Sequence, residues 1–298
     1  MIIEQINNNF FCYTNTHVIH TKEYYDYIVG LIKNWLSLND LKINVILGNY
    51  TVNFNNQNKT IKLDIQCEHT LVVDGGRSVN DKIFGKVECN DGFYLIRIDN
   101  FNYYNNLDLV IEYSLPNIHN ISTNDSFIDY LSRIIYVPPI IYEINFDKQH
   151  KKELLCLFVK DNNERRTKTL NSLEQLGLPI KTVTNCFSKD CLVNLYKETK
   201  ILINIHQTDH HHTFEELRVL PALLNGVLII SEDVPLKDKI PYGEFIIWSQ
   251  YDDISKKVKE VNENYEYYYN EIFNNSKLSS ILIEMKKNND KIFEKIKL

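Results

Sequence analysis

The chain has 298 residues, enough for two compact α/β lobes or one large domain with a sizeable core. Apolar residues make up 44% and charged residues 24%, the balance of an ordinary folded protein rather than a disordered or membrane-spanning one. The net charge of -6 argues against a general nucleic-acid binder, because contact with a phosphate backbone needs a basic face.

The opening MIIEQINNNF has no basic start and no long apolar run, so no signal peptide is expected. No apolar run reaches the roughly 18 residues of a membrane span. The six cysteines form no C-x-x-C pair and are expected to be reduced thiols of a cytosolic protein. Apolar and aromatic residues at helical spacing predict an amphipathic helix over 22–37. Strands are predicted at 43–47, 61–66 and 70–73, followed by a turn at Asp74-Gly75-Gly76. GKVECNDGFYLIRID predicts a hairpin turning at Asn90-Asp91-Gly92. A buried strand is expected at 107–114 and a helical stretch near 124–134. Val137-Pro138-Pro139 interrupts the pattern, since proline ends helices and forces extended backbone.

Beyond it the rhythm is regular. Strands are predicted at 154–159, 180–185, 200–206, 227–231 and 243–248, and helices at 165–177, 188–199, 213–225 and from 253 onward. Ser188 is the expected N-cap of the second helix, and Gly177 and Gly226 close the first and third. Strands alternating with helices imply right-handed crossovers and a parallel sheet. The expected domains are 1–145, 146–270 and a helical tail over 271–298.

In open α/β sheets a ligand binds beyond the carboxyl ends of the strands. The loop leaving the strand at 200–206 carries His206, His210, His211, His212 and Thr213. Thr213 and Glu216 fit a capping box, which would open a helix N-terminus toward an anion such as a diphosphate. Three adjacent histidines diverge, and no spaced partner set is evident, so no metal site is expected. Pro221 inside the following helix is expected to kink or split it. Arg165, Arg166 and Lys168 sit near a helix start, where basic charge opposes the helix dipole and suggests an anionic ligand or a solvated face. In the first half, Glu68, His69 and Asp74 are candidate general bases or the polar corner of a hairpin.

The second-half residues resemble the nucleotide-sugar-binding lobe of GT-B-fold glycosyltransferases, with the CgeB-like and "glycosyl transferases group 1" proteins nearest. Arg165-Arg166, Asn204-Ile205-His206, the run from Arg218 to Gly226, and Ser231-Glu232-Asp233 carry the likeness. The Asn-, Ile-, Lys- and Tyr-rich composition also resembles that of large DNA viruses. The resemblance implies an α/β chain of two Rossmann-like lobes with mostly parallel sheets and a cleft between them. It implies transfer of a hexose from a nucleoside-diphosphate sugar, UDP-sugars favoured, to a hydroxyl of a glycan or protein. No metal or other cofactor is implied. The donor would lie on Arg165, Arg166, Lys168, His206, His210, His211, His212, Thr213, Phe214, Glu215, Glu216 and Arg218. The setting would be the host cytoplasm or the virion. The family's ribose-holding helix glutamate aligns with Pro221, so an inactive binding module is the alternative.

Overall fold

The computed structural model describes residues 2–14, 21–38, 42–48, 50–73, 85–89, 92–96, 106–156, 164–183, 186, 188–206 and 213–296. The chain divides into two compact units, Met1–Pro138 with Lys287–Leu298, and Pro139–Lys286. The division falls between the two adjacent prolines.

The first unit opens with a hairpin that the sequence pattern did not announce. Strand β1 (Ile2–Asn7) pairs antiparallel with β2 (Phe10–Thr14), and the Asn7 carboxamide accepts from the Asn9 amide in the turn. Helix α1 (Lys22–Leu38) buries Tyr24, Ile28, Leu31, Ile32, Trp35 and Leu36, a spacing of three and four that makes one apolar stripe. Strands β3 (Ile43–Leu47), β4 (Lys59–Gln66), β8 (Leu109–Glu112) and β9 (Ile134–Tyr136) extend the sheet in the order β1-β2-β3-β4-β8-β9, parallel from β2 onward. A small antiparallel sheet, β5 (Leu71–Val73), β7 (Gly92–Ile96) and β6 (Gly85–Cys89), is inserted between β4 and β8.

A polar loop was expected between 114 and 124, where α2 (Leu115–Ile121) forms, and the helix expected near 124–134 is a 3-10 turn over 125–127, α3 (Ile128–Leu131) and strand β9. Capping explains the shift. Ser114 and Asn124 each accept an amide of the turn that follows, so a helix starts inside the expected loop and a separate short turn starts at 125. Residues 287–298 belong to this unit. The Asn289 carboxamide donates to the Tyr27 hydroxyl and the Pro138 carbonyl, and Phe293 lies 5.5 Å from Trp35.

The second unit is a five-stranded parallel sheet. Its strands are β10 (Glu153–Cys156), β11 (Ile180–Thr182), β12 (Thr199–Asn204), β13 (Leu228–Glu232) and β14 (Ile247–Ser249), in the order β11-β10-β12-β13-β14. Helices α4 (Glu164–Gln175), α5 (Lys189–Glu198), α6 (Glu216–Leu224), α7 (Ile254–Glu263), α8 (Tyr265–Phe273) and α9 (Ser276–Asp290) complete it, α9 ending in the first unit. The central strands β12 and β13 are apolar along nearly their whole length because helices cover the sheet, so ILIN and LIISE do not alternate. The stretch 243–248 is a 3-10 turn followed by a short strand rather than one continuous strand.

Pro221 does not split α6, contrary to expectation. The helix begins only at Glu216, so the proline sits in its second turn and removes one backbone bond, while its ring is buried in the core. Gly226 closes the helix with φ 66°, and a Cβ there would meet the Phe146 Cα and the Tyr269 hydroxyl at 3.0 Å each.

Lys151 is buried, and its ammonium donates to the carbonyls of Tyr196, Thr199 and Asn225. These lie at the carboxyl-terminal ends of α5 and α6, where a cation suits the helix dipoles. Burial pushes the amine down to about 8. Lys151→Met relieves that desolvation but leaves three carbonyls without their donor, and the second effect is the larger. The expected net loss is about 2 kcal/mol, read as a lower urea midpoint at unchanged slope.

Candidate functional site

The second sheet has the 2-1-3-4-5 strand order, with its topological switch point between β10 and β12. Successive crossovers leave in opposite directions there and open a crevice beyond the carboxyl ends. Three segments bring side chains to that edge: the start of α4, the end of β12 and the end of β13.

Glu232 ends β13 and organises the others. The Arg165 guanidinium grips its carboxylate with two nitrogens, at 2.6 and 3.2 Å, and also donates to the His206 carbonyl at 3.2 Å. The His206 amide donates to the same carboxylate at 3.1 Å. Arg165 is 18% exposed and Glu232 9%, so the pair is screened little by solvent. The Tyr251 ring stacks 4.0 Å from the guanidinium, and its hydroxyl donates to the Arg165 carbonyl. One step further in, Arg218 donates to the Asn204 carboxamide, which donates to Ser231.

His206 is 4% exposed. Burial pushes its imidazole below the ordinary value. The Glu232 and Glu215 carboxylates oppose that shift, and the Arg165 and Arg218 charges reinforce it. A depressed histidine favours the neutral ring in the folded state, so the unfolded chain takes up protons first as pH falls. Its contribution is complete above an unfolded value of about 6.5 and is lost below it. Urea midpoints should therefore drop between pH 7.5 and 5.5, and the drop should shrink in His206→Asn. An equal drop in both proteins would remove His206 as its source.

The expected capping box does not form. Glu215 is the N-cap residue of α6, with no side-chain cap bond, and α6 starts at Glu216. Glu216 is wholly buried and accepts from the Tyr242 hydroxyl, so its carboxylate is turned into the core. Phe214 is also fully buried, 5.2 Å from Trp248. Both side chains are packed inside the second unit. The Thr213 hydroxyl, 1% exposed, has no hydrogen-bond partner among the described residues. Arg166 is half-buried, and Lys168 is exposed, 3.6 Å from Asp252. His210, His211 and His212 lie outside the described residues, as does Asp74. Among the described residues, no three His, Cys, Asp or Glu side chains gather as metal ligands.

In the first unit, Glu68 and His69 follow the carboxyl end of β4, Glu68 exposed and His69 buried. Sequence reasoning missed the neighbouring Glu112, at the end of β8. It is fully buried and accepts from the amides of Tyr113 and Ser114 and from the Asn117 carboxamide. It also singled out neither Tyr251 nor Tyr242. An apolar strand that closes on a glutamate, LVIE or LIISE, is the signal that finds Glu112 and Glu232.

Two Rossmann-like units in one chain, each on a largely parallel sheet, make this an α/β protein. The chain is 30% identical over 201 residues to the "Uncharacterized protein R358" of Acanthamoeba polyphaga mimivirus, a match covering 63% of this chain and 68% of that protein, and it belongs to the same family. No protein-family profile matches it. Among solved structures, that of TarM is similar at 13% identity and a TM-score of 0.49, over 89% of this chain and 56% of that one. The structure of accessory secretory protein 1, 2 and 3 in Streptococcus pneumoniae is similar at 12% identity and a TM-score of 0.35, over 88% and 57%. This chain thus spans little more than half the length of either. No helix among the described residues is long and apolar enough to cross a membrane.

Proposed function

We propose that the protein is a glycosyltransferase that moves a hexose from a nucleoside-diphosphate sugar, UDP-sugars first among the candidates, to a hydroxyl of a glycan or protein. The observation that carries this reading is the switch-point edge of the second sheet. Arg165, Lys168 and Arg218 bring three cations there, of which Arg165 is held by Glu232, and the Thr213 hydroxyl, which has no hydrogen-bond partner among the described residues, precedes α6. A diphosphate suits such an edge, because cations and hydroxyl donors stabilise the charge that develops as the leaving group departs. Lys168, His210, His211, His212 and Thr213 are assigned to the phosphates. Arg165, whose fork is taken up by Glu232, is assigned to holding the ends of β12 and β13 in register. If the reaction inverts configuration, the base is drawn from His69, Glu68 or Asp74; retention needs none. No metal is required in this reading, and the setting is the host cytoplasm or the virion.

Calorimetry with UDP and a panel of sugar nucleotides tests the reading, followed by donor hydrolysis with and without chelator. Binding that weakens at least about tenfold in Lys168→Ala, with chelator-insensitive turnover, is expected. No binding of any donor would sink it. The occupied Arg165 fork and the buried Pro221 in place of a ribose-holding glutamate favour a second reading, a binding module without transfer. Nucleotide binding with no hydrolysis and no transfer across an acceptor panel would select it.

A further inference from the structure

Cys186 and Cys191 were expected to be free thiols, but the structure joins them in a disulfide with their Cα atoms 5.6 Å apart. The two sulfurs sit in opposite surroundings. Cys186 is 7% exposed and belongs to the apolar core of the second unit. Cys191 is exposed, in the first turn of the ten-residue helix α5, where its amide faces the Ser188 hydroxyl that caps the helix. The bridge spans only five positions, so it restricts the unfolded chain little compared with a long-range staple. A bond of small structural value, with one sulfur in solvent at a helix N-terminus and the other able to rest in the core as a small apolar group, is suited to being opened and closed.

We propose that Cys186–Cys191 is a thiol–disulfide exchange site, at which a small thiol of the glutathione class attacks the exposed Cys191 sulfur. The incoming thiolate forms a bond to the Cys191 sulfur while the bond to Cys186 breaks. The electron pair leaves with the Cys186 sulfur, which takes a proton and stays in the core. A second thiol then attacks the mixed disulfide, releasing the Cys191 thiolate and the oxidised small-molecule disulfide. Leaving-group chemistry alone favours the opposite order, because the helix N-terminus stabilises a Cys191 thiolate. Access decides against it, since an attacking sulfur cannot line up behind a buried Cys186. Cys12 and Cys67 do not compete: burial pushes the Cys12 thiol up and the Cys67 thiol well up, keeping both protonated.

Alkylation of the native, unreduced chain followed by peptide mapping is expected to leave Cys186 and Cys191 unlabelled. After brief exposure to reduced glutathione and an acid quench, glutathione should lie on Cys191 at least about tenfold more than on Cys186. Labelling of both before any reductant, or glutathione on Cys186 to an equal or greater extent, overturns the proposal. Cys186→Ser provides a second measurement that needs no disulfide. Its Cys191 should alkylate at least about tenfold faster than Cys12 or Cys67 in the same chain, and equal rates overturn the assignment of Cys191 as the reactive sulfur.

Discussion

Glu232→Ala is expected to destabilise the second unit by about 3 kcal/mol and, under the proposed function, to weaken nucleotide binding along with it. The argument rests on what remains after the carboxylate is gone. Arg165 keeps a mostly buried guanidinium whose two forked bonds went to Glu232, and the His206 amide loses its acceptor. Breaking one half of a buried ion pair costs more than the pair is worth, because the surviving charge is stranded. The residual exposure of Arg165 lets some water reach it, which places the figure at the lower end of the range for such losses.

The conservative variant separates charge from geometry. In Glu232→Gln the amide oxygen can keep the position that accepts from the His206 amide and one Arg165 nitrogen, but the NH2 then faces the second Arg165 nitrogen, which is also a donor. A loss of about 2 kcal/mol is expected. Replacing both members, Arg165→Met with Glu232→Met, removes the stranded charge, so the double variant should be more stable than either single change predicts. A coupling of about 2 kcal/mol in the double-mutant cycle is expected from urea melts. Additive losses would show that Arg165 and Glu232 do not act as a unit.

That pair also shows what could be read from the residues alone. The second unit was legible because LLC, ILIN and LIIS are continuous apolar runs between amphipathic helices, and buried parallel strands have that appearance. Gly177 and Gly226 marked helix ends because both take positive φ. The strand–helix rhythm fixes which ends of the strands face the crevice, and Arg165, His206 and Glu232 meet at that edge. Its internal wiring was not legible. Arg165 and Glu232 lie 67 positions apart, and which donor meets which carboxylate depends on packing that no local pattern encodes. Thr213 and Glu216 matched a capping box in spacing, but Tyr242 competes for the Glu216 carboxylate from 26 residues away, and the helix starts later than the motif implied. The first unit was read less well because its elements are short and the small β5-β7-β6 sheet interrupts the parallel progression.

Glu112 is the clearest case of a residue that local reading passes over, and changing it to glutamine should be nearly as damaging as changing it to alanine. All three of its described hydrogen-bond partners are donors: the amides of Tyr113 and Ser114 on one oxygen, at 2.9 and 3.1 Å, and the Asn117 carboxamide on the other, at 2.6 Å. Glutamine can keep one oxygen for the two amides, but its NH2 then meets the Asn117 NH2. Asn117 cannot simply flip to present its oxygen, because that oxygen accepts from the Thr70 amide at 3.0 Å. Flipping would transfer the conflict to Thr70, which is itself fully buried. Glu112, Asn117 and Thr70 are all fully buried, so each mismatch carries the full desolvation penalty of a buried polar group. We expect Glu112→Gln to cost about 3 kcal/mol and Glu112→Ala about 4 kcal/mol, measured by urea unfolding. The double change Glu112→Gln with Asn117→Asp supplies an acceptor opposite the new NH2 and leaves a carboxylate oxygen for the Thr70 amide. It should recover at least half of the loss. No recovery would mean that the Glu112–Asn117 contact is not what holds the end of β8 to the start of α2.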